Sequence, residues 1–463
     1  MTGRPSSVER RPRVVVVGGG FGGIAAVRGL ARTPVEIILI DRHIYNTFSP
    51  LLYQVATAAL NAGDITWFLR AIRARQDNVH FLKGIVLGID HAECILHLHG
   101  DVHVAYDYLV LANGVTANFF GIPGAEQYAM PLYKRSQALA LRDRMLKNLE
   151  DFAINGQERD ERIVVVGGGA TGVETAGALA EFRNHDMPIA YPELDRRRIH
   201  VTLVERGPSV LSPFPEKLRR YAQRSLEQRR VDLRLGTAVK EVRADGVVVE
   251  NDHAEEFLSA GVVVWASGIT VHPTVGDWGV PQGHGGRIEV DEYQRIKGFS
   301  KEFAVGDVSI GPKPLPQQAQ PAIQGGRYVA KYIAVDVAHL CEQIPPFKYH
   351  DKGTMAVIGR ASAVARVKHL PLMTGLIAWI IWVVLHIASL LGVRNRIATL
   401  ANLAVKYLSS GSYNAIVGET PIIVARRRII FGNNVRPASE TEAAACVPGV
   451  EEETRSPPKK GRP

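Results

Sequence analysis

Residues 13–31, RVVVVGGGFGGIAAVRGLA, decide the fold. The run Val14 to Val17 is apolar on every position and β-branched, the pattern of a strand buried on both faces in a parallel sheet. Gly18, Gly20 and Gly23 follow in GxGxxG spacing and open a helix. Each glycine has its own job: Gly18 allows the tight turn, Gly20 lets the backbone approach a pyrophosphate, and Gly23 lets the helix sit close on the strand. The pyrophosphate would rest on the helix N-terminus, where free N–H groups and the positive dipole end favour an anion. Beyond the helix, VEIILIDR reads as a second apolar strand ending in Asp41, placed to accept hydrogen bonds from ribose hydroxyls.

The same design recurs about 150 residues later as RIVVVGGGATGVETAGALAEF, with Gly167, Gly169 and Gly172 in the fingerprint positions. Val173, Ala176, Gly177 and Ala180 form the packed helix face. The acid at the strand end is Glu205, in VTLVER. It lies further on than the usual interval of about 20 residues, so the stretch from Met187 to Arg198 is expected to be an inserted loop. A carboxylate at that position repels a 2′-phosphate and favours NADH over NADPH, with Arg206 beside it as the opposing feature. One such turn is weak evidence. Two, each with strand, helix and terminal acid, imply two dinucleotides, a flavin (FAD) and a nicotinamide (NADH).

Both halves close in the same way. DYLVLANG, residues 107–114, and GVVVWASG, residues 261–268, read as strands returning to each sheet and ending in glycine turns at Gly114 and Gly268. Next, EFAVGDV ends in Gly306 and Asp307, followed by a proline-rich loop and a helix expected from about Ile323 to Ala338, which brings the chain back to the first half. The expected architecture is α/β, two Rossmann-like dinucleotide-binding domains plus a C-terminal membrane-associating region. Residues 12–125 and 281–345 form the first dinucleotide-binding domain, 155–280 the second, 346–433 the membrane-association domain and 434–463 a disordered tail.

At 463 residues there is room for about three units, each with its own core. A net charge of +9 without a basic stripe or interleaved aromatics points to an anionic membrane surface rather than nucleic acid. The three cysteines, Cys94, Cys341 and Cys446, form no CxxC or CxxxxC pair, which fits a reducing, cytosolic setting. Cys94 is expected in an early strand and Cys341 in a loop after the last sheet helix. The polar N-terminus, MTGRPSSVERRPR, lacks the apolar region of a signal peptide. No histidine or cysteine spacing suggests a metal.

Residues 371–393, PLMTGLIAWIIWVVLHIASLLGV, carry no Asp, Glu, Lys or Arg. That is long enough for a membrane span, although Trp379, Trp382 and His386 interrupt it. The following RIATLANLAVKYL is amphipathic, with Lys406 on its polar side, and such a pair suits the membrane interface. Arg426 to Arg428 add a basic cluster for acidic headgroups.

Together these motifs resemble the type II NADH:quinone oxidoreductases, from about Arg13 to Gly418. The specific stretches are FSPLLYQVATAAL (48–60), PQQAQPAIQGG (316–326), DKGTMAVIGRASAVA (351–365) and the apolar C-terminal segment. The resemblance implies that 12–125 with 281–345 is the FAD domain and 155–280 the NADH domain, that 48–60 covers the flavin, that Asp307 binds its ribityl chain, and that Ala319, Gln320, Ala322 and Gln324 form the family's AQxAxQ quinone motif. It places Glu174 near flavin and quinone, as a relay for protons. It also aims the N–H groups of a helix starting near Gln324 at the flavin. Departures from the family pattern are Ala170, Asn113, Ser267 and Ser49, of which Ser49 stands beside the flavin cover.

The implied reaction is hydride transfer from NADH to FAD and two electrons on to a membrane quinone, without ion pumping. The implied partners are NADH, a membrane quinone and the lipid surface, with a homodimer left open. The implied location is peripheral, on the cytoplasmic side of the cell membrane, with a crossing by residues 371–393 also left open. Rival readings are a sulfide:quinone oxidoreductase, which needs a cysteine pair beside the flavin, a ferredoxin reductase, and an NADH-binding redox sensor without turnover.

Overall fold

The computed structural model describes residues 10–155, 160–252, 254–340 and 343–408. The first half contains β1 (Arg13–Val17), α1 (Phe21–Gly29), β2 (Glu36–Asp41), β3 (Val79–Lys83) and β4 (Tyr108–Leu111). The second contains β5 (Met130–Pro131), β6 (Glu161–Val166), α2 (Ala170–Glu181), β7 (Ile199–Glu205), β8 (Val231–Leu235) and β9 (Val262–Trp265). The chain then adds β10 (Glu302–Ala304), α3 (Ala319–Val337), β11 (Thr354–Gly359), β12 (Ser362–Arg366), α4 (Gly375–Ser389) and α5 (Val393–Leu408).

Two parallel sheets of five strands result. The first has the order β10-β4-β1-β2-β3, with Val14 opposite both Ile37 and Tyr108. The second has the order β5-β9-β6-β7-β8, with Val164 opposite both Thr202 and Val263. In each, the strand before the glycine turn is central, so its side chains are covered on both faces. Val14, Val15, Val16, Val164 and Val165 are wholly buried, each worth about 1.5–3 kcal/mol relative to exposure. An antiparallel three-stranded meander accompanies each sheet, at 86–105 and 238–259. Strand β10 joins the first sheet beside β4, after the whole second sheet has been inserted.

β11 and β12 pair antiparallel, together with Met373–Thr374. Gly177 of α2 lies so close to β11 that a Cβ there would fall 2.0 Å from the Ile358 carbonyl oxygen. Thus the helix of the second glycine turn packs directly on the C-terminal sheet.

Of the helices that follow, α4 is shorter than the charge-free run, and α5 departs from the sequence reading. α4 has 15 residues, about 22 Å at 1.5 Å per residue, short of the roughly 30 Å of a hydrocarbon core. Among the described residues no helix is long and apolar enough to cross a membrane. α5 is amphipathic with its polarity partly inverted: Leu403 and Tyr407 are buried and Arg394 and Arg396 exposed, but other positions are reversed. Asn395, Thr399 and Lys406 face inward and are buried, whereas Val393, Ile397, Leu400 and Val405 are exposed. Lys406 is therefore not on a solvent face. The inward polar groups are used: Asn395 Nδ2 donates to the Thr66 carbonyl at 2.7 Å, and Asn402 Nδ2 to Asp64 Oδ2 at 2.6 Å.

Three smaller expectations are corrected. The last sheet helix starts at Ala319, not near Ile323, because Pro321 falls in its first turn, where its missing N–H costs nothing. The expected loop from Met187 is partly helical. α2 runs on through a π-turn, Phe182–Asp186, into Met187–Ala190, and Arg196–Arg198 form a further helical turn. Cys94 sits in a turn with φ of 54°, not in a strand. Cys341, Cys446, Arg426 to Arg428 and the tail lie outside the described residues.

Candidate active site

Both glycine turns have the shape their sequence predicts. Gly18 has φ of +106°, and a Cβ on it would lie 2.3 Å from the Ala112 carbonyl oxygen; Gly167 has φ of +111°. Gly23 and Gly172 approach so closely that a Cβ on either would fall 1.8 Å from the oxygen of Gly18 or Gly167. Beside Gly20 and Gly169, by contrast, there is nothing within 4 Å. These positions leave open space at the mouths of α1 and α2, where a pyrophosphate can meet backbone N–H groups.

The strand-end acids close their own turns. Asp41 Oδ2 accepts the Gly19 N–H and Oδ1 the His43 N–H, both at 2.7 Å. Glu205 accepts the Gly168 N–H at 2.5 Å and the Gly207 N–H at 2.6 Å, while Arg206 points to solvent. A carboxylate oxygen has more than one lone pair, so these contacts leave acceptor capacity for ribose.

The first turn fits FAD on further grounds. Asn113 Oδ1, next to Gly114, and Gln320 Oε1, in the first turn of α3, are buried without a hydrogen-bond partner among the described residues. Orphaned acceptors are costly unless a ligand supplies donors. Asp307, just after Gly306, is crowded by surrounding protein, and its carboxyl is pushed up to about 6 by desolvation, opposed by Arg287 and by the Tyr133 hydroxyl, which donates at 3.5 Å. Gly268 stands against the Phe120 ring, at the end of β9 in the second half.

The two glutamines behave differently. Gln320 keeps its free acceptor, whereas the Gln324 amide is engaged at both ends. Its Nε2 donates to the His350 carbonyl and its Oε1 accepts the His350 N–H, each at 3.0 Å. Here Gln324 pins the crossover into the C-terminal sheet.

Glu174, in the first turns of α2, retains some exposed surface yet is surrounded by protein. Desolvation pushes its carboxyl up to about 8, against the Val357 N–H, which reaches it at 3.3 Å, and the Trp382 indole. The indole N–H makes no regular hydrogen bond, but it is near enough to favour the charged form.

Sequence reasoning missed the aromatic run that joins this site to α4. Phe21 packs edge-on against Phe48 at 5.7 Å, Phe48 edge-on against His386 at 6.0 Å, and His386 stacks on Trp382 at 4.0 Å. Burial lowers the His386 imidazole to about 4, and its Nδ1 is 2.7 Å from the Trp382 carbonyl oxygen. The signal available in sequence was the i, i+4 spacing of Trp382 and His386 within an apolar helix. These residues mark the side of α4 turned to the protein, while Leu376, Ile377, Ile380, Val384 and Leu385 face outward.

Among the described residues no cluster of His, Cys, Asp or Glu could hold a metal. Cys94, in its turn, has no cysteine partner among them.

Residues 12–326 match the family described as pyridine nucleotide-disulphide oxidoreductase, and residues 351–410 match the NDH2 C-terminal domain. The chain is 38% identical to the type II NADH:quinone oxidoreductase NdhA of Mycobacterium tuberculosis, over 86% of this chain and 88% of that one. It is 36% identical to the Ndh protein of the same organism, over 87% and 89%. A structure of NDH2 from Plasmodium falciparum superposes with a TM-score of 0.81 at 20% identity, covering 87% of this chain and all of that one. The chain belongs to the pyridine nucleotide-disulphide oxidoreductase family and, within it, to the type II NADH:quinone oxidoreductases.

Proposed function

We propose that this protein oxidises NADH and passes two electrons to a membrane quinone through FAD. The observation that carries the reading is the position of residues 48–54. This one stretch touches the first glycine turn through Phe21–Phe48 and the apolar helix α4 through Phe48–His386 and Tyr53–Trp382. It therefore stands between a dinucleotide site and an outward apolar surface.

Gly18, Gly20, Gly23 and Asp41 would hold the adenosine and pyrophosphate part of FAD, with Gly114, Gly306 and Asp307 along its remainder. Gly167, Gly169, Gly172, Glu205 and Gly268 would hold NADH. Bound FAD supplies a carrier that accepts a hydride and releases two electrons. Gln320, with its free acceptor, and Glu174 would serve the quinone side, and Gln324 would order that wall through His350. At neutral pH Glu174 holds a proton, which suits a donor to a quinone acquiring charge. On this reading 12–125 and 281–345 form the FAD domain, 155–280 the NADH domain, and the segment from 346 the membrane-facing one.

The inverted amphipathicity of α5 and the outward face of α4 support a peripheral seat on a bilayer, with NADH reached from the cytoplasmic side. An apolar face this size is costly in water and favourable at a lipid interface. The test is FAD-loaded protein mixed with NADH, with and without a quinone analogue. Quinone-dependent NADH oxidation supports the reading. Flavin reduction by sulfide alone would select the rival enzyme, and NADH binding without flavin bleaching would select a sensor.

A further inference from the structure

An open bowl of about 510 Å³ lies where the π-turn after α2 meets the tight turn between β11 and β12, with Arg196, Arg229 and Arg360 in its wall. Arg183 is buried beside it and donates to the carbonyls of Arg229, Arg230 and Ile199. None of Arg183, Arg196, Arg229, Arg230 and Arg360 pairs with a carboxylate among the described residues, whereas the adjacent Arg197 does. The wall contains one carboxylate, Glu181, which accepts the Arg360 backbone N–H at 3.0 Å and pairs with none of the guanidinium groups.

Backbone carbonyls hold these cations in place. Arg229 donates to the carbonyls of Ser225 at 2.9 Å and Arg360 at 3.3 Å, and Arg196 donates to the Asn184 carbonyl at 3.2 Å. The surplus charge is felt within the cluster: the Arg183 guanidinium is lowered to about 10 by its burial and by Arg230 and Arg196. Three arginines against one carboxylate leave a net excess of fixed positive charge around an open concavity, which is what an anion site requires. The π-turn that builds its wall is a rare geometry, frequent at functional sites.

The bowl also adjoins an apolar surface. The Arg360 guanidinium donates to the Tyr407 carbonyl and lies over the Tyr407 ring. Tyr407 is at the end of α5, the helix whose outward residues are Val393, Ile397, Leu400 and Val405. A fixed anion pocket at the rim of an outward apolar helix fits a ligand with a phosphate and acyl chains. We propose that this bowl binds the phosphate headgroup of an anionic phospholipid, with the acyl chains lying along α5. The proposal rests on the peripheral seat of α4 and α5 described above, and gives that seat a lipid preference.

Flotation of the FAD-loaded protein with two vesicle types tests it, one of phosphatidylcholine and one with a third of it replaced by phosphatidylglycerol. Wild type is expected to bind the anionic vesicles roughly tenfold more tightly, about what one or two arginines at a charged surface supply. Arg196→Gln, whose side chain is exposed, should lose part of that increment, and Arg196→Gln with Arg360→Gln most of it. Both should match wild type on pure phosphatidylcholine and in NADH turnover with a soluble quinone analogue. Lys240→Gln with Arg243→Gln, an equal charge loss on the 238–259 meander, should keep the increment.

An unchanged increment in the double variant, or an equal loss in the control pair, overturns the proposal. Binding of inorganic phosphate by wild type, lost in the double variant, with no increment on the anionic vesicles would assign the bowl to free phosphate instead. Failure of wild type to bind either vesicle would overturn the bilayer seat itself.

Discussion

Glu174 accepts the Val357 N–H at 3.3 Å, which ties the helix of the second dinucleotide turn to the C-terminal sheet at the point where Trp382 arrives from α4. A carboxyl with a value near 8 is mostly protonated at neutral pH, so it can give a proton where an ordinary glutamate cannot. Glu174→Gln is therefore expected to slow flavin reoxidation by quinone by about 10²-fold, the low end for a lost general acid, while leaving flavin reduction by NADH nearly unchanged. Separate stopped-flow measurement of the two half-reactions checks this; equal slowing of both contradicts the relay.

The same carboxyl couples stability to pH. The folded chain holds the Glu174 proton up to about 8, whereas the ordinary value is 4.5. Between these values the folded state binds more protons than the unfolded one, so this group's contribution to stability falls as pH rises across that window. Below the window the contribution is fully present. Glu174→Gln removes the slope, so the Tm of the variant relative to wild type should rise as pH goes from 4.5 to 8 and then level off. Thermal melts across that range give the comparison, and a constant difference would count against a raised value.

Glu205 is held by the N–H groups of Gly168 and Gly207 at the end of β7. Replacing it with Gln keeps an acceptor and removes the charge that repels a 2′-phosphate. The ratio of kcat/KM for NADH over NADPH is expected to drop about tenfold, mostly through KM, equivalent to about 1.4 kcal/mol of lost discrimination. An unchanged ratio would show that selectivity lies elsewhere.

Ile377, Ile380 and Val384 lie on the outward face of α4 without covering side chains from the core. Changing all three to Ser should leave folding and FAD content intact and move the protein from the membrane fraction to the soluble one. Wild type itself should be released by alkaline carbonate, as a peripheral protein is. Retention after carbonate would contradict the peripheral seat that the 15-residue α4 supports.

The two sheets were legible because Val14 to Val17 and Ile163 to Val166 repeat one strongly apolar pattern before identical glycine spacings, a local code. The start of α3 is hard to read from sequence because Pro321 follows a proline-rich loop, yet a proline in a first helical turn breaks nothing. The inversion of α5 was not legible. Its sequence shows two faces but not which one meets the protein, and that depends on Asp64 and Thr66, more than 300 residues away in sequence. The aromatic run through Phe21, Phe48, His386 and Trp382 escaped notice for the same reason, being assembled from three distant segments.

The most direct test of the central claim is rapid mixing of the FAD-loaded, oxidised protein with NADH in the absence of oxygen, followed by a second mix with menaquinone or ubiquinone. The flavin absorbance should bleach on the first mix and return on the second, with one quinol formed per NADH consumed. A flavin that NADH does not bleach, or that bleaches and is not reoxidised by quinone, would contradict it.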